Sequence, residues 1–244
     1  MTTKPDAPLE KPRRFYRTVS VVEHPQGFAP ALDGRIARTP EKAHAVVPTK
    51  ALAELLAEEW DAQADVIDLG RMPAVRLAST AIDRTPVVRQ EMAREVARYG
   101  GTDLLCYFAE SPTELIAEEK AAWEPWLEWA RGELGVSLTP VSGIIHQPQP
   151  AEALERLENL AAADDDFLLS GLGFATPLFG SAILAMAVRR GKLGGVQAFE
   201  ISRVDEAFQE RLWGVDAEAE ARRQALSLEA EMIGRWFDAI RSTN

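Results

Sequence analysis

The chain has 244 residues, 46% of them hydrophobic and 27% charged, enough for a substantial core without a disulfide or metal staple. Its single cysteine, Cys106, excludes an intrachain disulfide and fits a reducing compartment. A net charge of −11 opposes non-specific binding to nucleic acid or anionic membranes and favours solubility and basic partners.

Residues 1–12 are polar and proline-rich. They have no apolar core of a secretory signal, and their acidic residues and prolines do not suit a transit peptide, so a disordered arm on a cytoplasmic protein is expected. Arg14 to Glu23 is rich in β-branched and aromatic residues and predicts a strand. Phe28 to Leu32 predicts a second, and Asp33-Gly34 a hairpin turn before Arg35-Ile36. Ala45 to Val47 adds a third short run, closed by Pro48. The period then changes. Thr49 is placed to cap a helix running to about Gln63, with Leu52, Leu55, Leu56 and Trp60 as its apolar stripe. The connection from Asp65 to Arg71 is read as a domain boundary.

The remainder of the chain reads mainly as helix. Met72 to Ile82 is one candidate. Thr85-Pro86 has the form of a helix start and Gly100-Gly101 of its end. Leu104 to Phe108 is a strand or a buried turn. Ser111-Pro112-Thr113-Glu114 reads as a capping box, opening a helix that Pro125 is expected to kink or break. Trp123, Trp126 and Trp129 have the spacing of core packing. A helix carrying Ala153, Leu154, Leu157 and Leu160 comes after Pro148 and Pro150. Phe167 to Val188 holds no charged residue, and its length tempts a membrane reading. Gly171, Gly173, Pro177 and Gly180 interrupt it, so two short buried helices fit better. The last helix runs from about Asp216 to Ile240. The expected class is α+β: a small N-terminal antiparallel β domain with a helix, residues 13–70, then a larger, mostly α-helical domain, residues 71–244.

Catalytic signatures are sparse. His24, His44 and His146 have no metal-site spacing. Gly171-x-Gly173 lacks the rest of a dinucleotide fingerprint. Cys106 has apolar neighbours and no adjacent base, so it reads as a buried thiol. Asp164-Asp165-Asp166 lacks calcium-loop spacing and reads as a solvated helix end. No cofactor or metal is called for.

The tract Ile201 to Gly214 stands out instead. It reads as one amphipathic helix whose inward positions are Val196, Phe199, Val204, Ala207, Phe208 and Leu212. Arg203, Glu206 and Glu210 share the outer side, with Asp205 and Gln209 beside them, and Trp213-Gly214 closes the helix. This form suits a surface that another protein reads.

Blocks in order along the chain resemble the ATP12 family, assembly chaperones of the ATP synthase α subunit in mitochondria and α-proteobacteria. They are Arg14-Phe-Tyr-Arg-Thr-Val19, Leu32-Asp-Gly-Arg35 with Thr39-Pro40, Ala57 to Gln63, Met72 to Asp83, Thr102 to Tyr107, Trp123-Glu-Pro-Trp126, and Ser202 to Gln209 with Trp213-Gly214. The resemblance implies a non-enzymatic chaperone that holds the free α subunit of the catalytic head until the β subunit joins. Its implied setting is the bacterial cytoplasm, as a monomer when free, with no stable membrane insertion. It also implies that an acidic residue between Arg203 and Gln209 is needed: by position Glu206, with Asp205 as its neighbour. The expected partner-binding set is Glu206, Asp205, Arg203, Gln209, Glu210 and Trp213. Whether Glu206 meets the client or pairs with Arg203 is left open by the sequence. Two other readings compete: a hydrolase assembled around Asp83, His146 and Cys106, and a membrane-associated factor using Phe167 to Val188.

Overall fold

The computed structural model describes residues 11–242. Of the arm expected over residues 1–12, residues 1–10 lie outside the described residues. Lys11 and Pro12 are held: Lys11 Nζ lies 2.6 Å from Asp68, and the Pro12 carbonyl accepts the Ile67 N–H at 2.8 Å.

Three strands, β1 (Val19–His24), β2 (Gly27–Leu32) and β3 (Arg35–Ile36), form an antiparallel sheet in that order. The turn between β2 and β3 has Asp33 and Gly34 at φ 47° and 77°, both left-handed as a tight primed hairpin requires. The Asp33 carboxylate accepts the backbone N–H groups of Arg17 and Thr18 at 3.0 and 2.9 Å. The Thr18 and Arg17 bonds hold its carboxyl below the usual range. The first strand starts later than the pattern predicts. Arg14 to Tyr16 instead turn toward the first helix, where the Tyr16 hydroxyl donates to the Trp60 carbonyl at 2.6 Å. The expected third run is reduced to a single bridge, Phe28 to Val47.

Helix α1 (Lys50–Asp61) is capped as expected: the Thr49 hydroxyl accepts the Leu52 N–H at 3.2 Å. Leu52, Leu55, Leu56 and Trp60 are buried. Helix α2 (Pro73–Asp83) takes its cap from α1 rather than from its own sequence. The Glu59 carboxylate accepts the N–H groups of Ala74 and Val75, both at 2.8 Å.

In α3 (Thr85–Gly100), Thr85 is not the cap that its Pro86 neighbour suggests. Its buried hydroxyl meets Ser170 Oγ at 2.6 Å and the Thr80 carbonyl at 3.2 Å, so the tertiary partner wins. Leu104 to Cys106 form a short 3-10 turn leading into β4 (Tyr107–Phe108), which pairs parallel with β5 (Val141–Ser142). Helix α4 (Thr113–Trp129) begins without a side-chain cap, so the capping box does not form. It also passes Pro125 unbroken, to a π turn at Ala130–Leu134 closed by Gly135 at φ 69°. Trp123 is buried and donates to the Ile201 carbonyl at 2.9 Å, while Trp126 and Trp129 pack edge to face beside it.

Helix α5 (Ala151–Ala162) packs on α3. The uncharged stretch resolves into α6 (Asp166–Phe179) and α7 (Ala182–Arg189), split at Gly180, which is left-handed, and at Ser181, which caps α7. No helix among the described residues is long and apolar enough to cross a membrane. Ala182 to Val188 are all buried, so α7 forms the centre of the helical layer. Asp103, fully buried, serves its N-terminus, accepting the N–H groups of Ile183 and Leu105, each at 3.1 Å. Asp164 is not a solvated end either. It is buried and paired with Arg189, while Asp165 caps α6 and Asp166 pairs with Arg89.

Helices α8 (Gly195–Ser202) and α10 (Ala217–Arg241) cross backbone to backbone. A Cβ on Gly195 would overlap the Ala230 carbonyl oxygen, and one on Gly234 would lie 2.8 Å from the Gly195 nitrogen. In sequence, α9 (Val204–Trp213) connects them. One cluster of buried side chains extends from Tyr16 to Ala239.

Gly195→Ala should therefore destabilise the protein by about 1–3 kcal/mol, read from urea unfolding. Gly132, around which nothing lies within 4 Å, is the control position: Gly132→Ala should change stability by well under half as much. Asp103 gives a pH test. Burial pushes its carboxyl from the ordinary 3.8 to about 6. A raised carboxyl favours the folded state when protonated, so this contribution is complete below about pH 4 and lost as pH rises through about 6. The stability difference between wild type and Asp103→Asn should fall by roughly 2–3 kcal/mol between pH 4 and pH 7. A constant difference would show that Asp103 does not titrate in that window.

Candidate functional site

The tract expected to be one helix is two. Arg203, at φ −115° and ψ 21°, ends α8 and starts α9, after Ser202 has turned its buried hydroxyl back onto the Phe199 carbonyl at 2.8 Å. The inward set expected from spacing splits. Phe199 and Phe208 are buried, but Val196 is partly exposed and Leu212 is 60% exposed. Phe208 is the single buried residue of α9. Arg211 lies over its ring at 5.2 Å and reaches Glu118 on α4 at 2.6 Å, 93 residues away in sequence, which ties the outer end of α9 down.

Arg203, half-buried over the Phe199 ring, divides its charge unequally. It bonds Glu210 at 2.8 Å but stands 4.0 Å from Glu206. The strong partner is thus Glu210, and the Glu206 side chain is 56% exposed with only a peripheral contact. Asp205, one position earlier, is exposed and forms no ion pair among the described residues. Its charge reaches Glu119 on α4, whose buried carboxyl is raised first by desolvation and then by Asp205, and which accepts the Ala109 N–H at 2.7 Å. At the far end the Trp213 indole donates to Gln209 at 3.2 Å with 82% of the residue exposed. Gly214, at φ 82°, ends the helix there. So Arg203, Glu206 and Glu210 form one cluster, Gln209 and Trp213 a second, and Asp205 a third position toward α4. The surface combines two carboxylates with little internal compensation and a bare Leu212-Trp213 step. Leu212, one turn after Phe208 beside the terminal Trp213-Gly214, is the member that spacing assigned to the core and the structure leaves exposed.

The residues considered for chemistry are engaged separately. Asp83 accepts the Thr39 hydroxyl at 2.8 Å and the Glu41 N–H at 3.3 Å. His146 is bonded to the Tyr107 hydroxyl at 3.0 Å. Cys106 is fully buried, and desolvation with the Asp103 charge pushes its thiol well above the usual range, away from the reactive thiolate. His24 and His44 face each other edge to face at 6.1 Å. Among the described residues no group of His, Cys, Asp and Glu is arranged to hold a metal ion.

Comparison with known proteins decides the family. The family model of the ATP12 chaperone protein matches residues 13–131. The crystal structure of Atp12 from Paracoccus denitrificans is 38% identical, with a TM-score of 0.86 over 94% of this chain and 99% of that one. The chain belongs to the ATP12 chaperone family. An aspartate-to-lysine variant of the Paracoccus ATP12 protein matches with 37% identity and a TM-score of 0.86 over 94% of this chain and 98% of that one. A candidate chaperone from Agrobacterium tumefaciens matches with 37% identity and a TM-score of 0.87, over 94% and 87% of the two chains. The α+β fold of this ATP12 family member, a small antiparallel sheet followed by helices, agrees with the class expected from its sequence.

Because Phe208 is the single buried residue of α9, Phe208→Ala should loosen that helix selectively. Amide exchange over residues 205–213 should rise at least tenfold while α7 stays protected, since large-to-small changes of this kind cost about 3 kcal/mol or more. Uniform loss of protection across both helices would mean that α9 is not a separate unit.

Proposed function

We propose that this protein is an ATP synthase assembly chaperone that binds the unassembled α subunit of the catalytic head, without catalysis, until the β subunit joins. It acts as a monomer in the bacterial cytoplasm, and α9 is its docking face. Membership of the ATP12 chaperone family supports the assembly role. A free subunit exposes an apolar surface meant for its neighbour, and such surfaces aggregate or pair wrongly unless covered.

The observation that carries the choice of α9 is the uneven sharing of Arg203. With Glu210 holding the guanidinium at 2.8 Å, Glu206 keeps an exposed carboxylate for a cation on the client. Asp205 adds to that field, and Leu212 and Trp213 offer the apolar contact that a charge alone lacks. The separate engagement of Asp83, His146 and Cys106 favours binding over a hydrolase assembled from them.

The test is recovery of the α subunit with tagged protein from cells in which head assembly is stalled. Wild type should recover it. Glu206→Lys should reduce recovery at least tenfold with unchanged thermal stability, because it places a like charge against the client cation. Trp213→Ala should weaken it by a similar factor if the indole is a central contact. Equal recovery by Glu206→Lys would remove α9 from the interface, and no recovery by wild type would remove the client.

A further inference from the structure

A cleft of about 1070 Å³ lies between β3 and α2, lined by no residue of the α9 docking face. Its floor includes Tyr16, Leu32, Trp60, Ile67 and Val75, all buried. Phe15 and Leu69 stand at its mouth, 72% and 48% exposed.

Consecutive residues Arg35, Ile36, Ala37 and Arg38 all line this space. Alternate residues would line it if the sheet presented only a face, so the cleft runs along the strand edge. The Ala37 N–H donates to the Pro30 carbonyl in β2 at 2.9 Å, and the Ala37 carbonyl accepts from Ala45 in the returning segment, which lies on the β2 side because its Val47 bridges Phe28. Alternation then turns the N–H and C=O of Ile36 away from β2, toward the outer edge. Among the described residues no strand pairs with that edge. An uncovered edge beside an apolar floor is the arrangement that accepts an added strand.

Charge selects the occupant. Arg35, Arg38, Arg76 and Arg84 line the cleft and form no ion pair among the described residues. Of the three acids there, Asp33 is consumed by the backbone of Arg17 and Thr18, and Asp83 by Thr39 and Glu41, leaving Glu41. An acidic chain thus carries a basic rim at this apolar cleft.

We propose that the cleft binds an extended polypeptide segment of the client, apolar residues alternating with carboxylates, as a strand added to β3. This rests on the reading of the protein as a chaperone of a polypeptide client and adds a second contact to the α9 face. Alternate side chains of the segment enter the floor, and its carboxylates meet the arginine rim.

The experiment uses the full chain and a fluorescent alternating Val-Glu octapeptide, followed by anisotropy. The peptide should bind, the Val-Lys counterpart should not, and added salt should weaken binding. Arg35→Glu with Arg76→Glu, both at exposed positions, should weaken it about tenfold. Two peptide isomers, N-methylated on opposite alternate residues, separate strand addition from side-chain capture: one should keep binding and the other lose it. Equal binding of the two isomers, or of wild type and the double variant, overturns the proposal. So does self-association that the double variant abolishes in the absence of peptide, which would make the cleft an interface between copies. Recovery of the α subunit without peptide binding sinks the cleft alone. Peptide binding without recovery of the α subunit sinks the client assignment and leaves the cleft.

Discussion

The crossing of α8 over α10 at Gly195 and Gly234 is the constraint on which the helical layer depends. The two backbones approach until neither position has room for a Cβ. A second glycine contact, at Gly171 on α6, lies beneath the Phe237 ring and the Trp236 indole of α10, with no room for a methyl group either. Two large aromatics on one side and bare backbone on the other let α10 pack against α8 and α6 at once. The path of α8 then sets where the chain must turn at Arg203, and that turn sets the face α9 presents.

Burial and charge are arranged differently at the two candidate surfaces. On α9 one buried ring, Phe208, holds a short helix whose outer side is mostly carboxylate, with its strongest internal pair given to Glu210. Along β3 the apolar residues form the floor and the arginines the rim, while the nearby acids serve the backbone. The two candidate surfaces thus carry opposite charge. On the proposed reading, that combination would fix a client's orientation better than either alone, because a segment that suits one repels the other.

Local chemistry was legible wherever it had no distant competitor. Thr49 caps α1, Asp33-Gly34 makes the hairpin, and Gly180 divides the uncharged stretch, although the other expected breakers, Gly171, Gly173 and Pro177, sit inside α6. Several departures share a cause. Thr85 leaves its cap position because Ser170 offers a buried partner, and α2 is capped by Glu59 from another helix. Asp164 looks solvated until Arg189 arrives from 25 residues away. At the candidate site, the charged positions were readable from spacing. The break at Arg203 was not, nor was the exposure of Leu212, one turn past the buried Phe208 at the end of α9. The cleft had no local signature, since its walls come from β3, α1 and α2 and meet only in the folded chain.

The Thr49 hydroxyl that opens α1 also donates to the Ala239 carbonyl in α10, at 2.7 Å across 190 residues. During synthesis the first helix is complete long before that acceptor exists. Until α10 arrives, the surfaces of α1, α6 and α8 that it covers face water, so a nascent chaperone carries the same exposed apolar liability that chaperones relieve in others. The far end of the chain thus completes packing that its beginning opens.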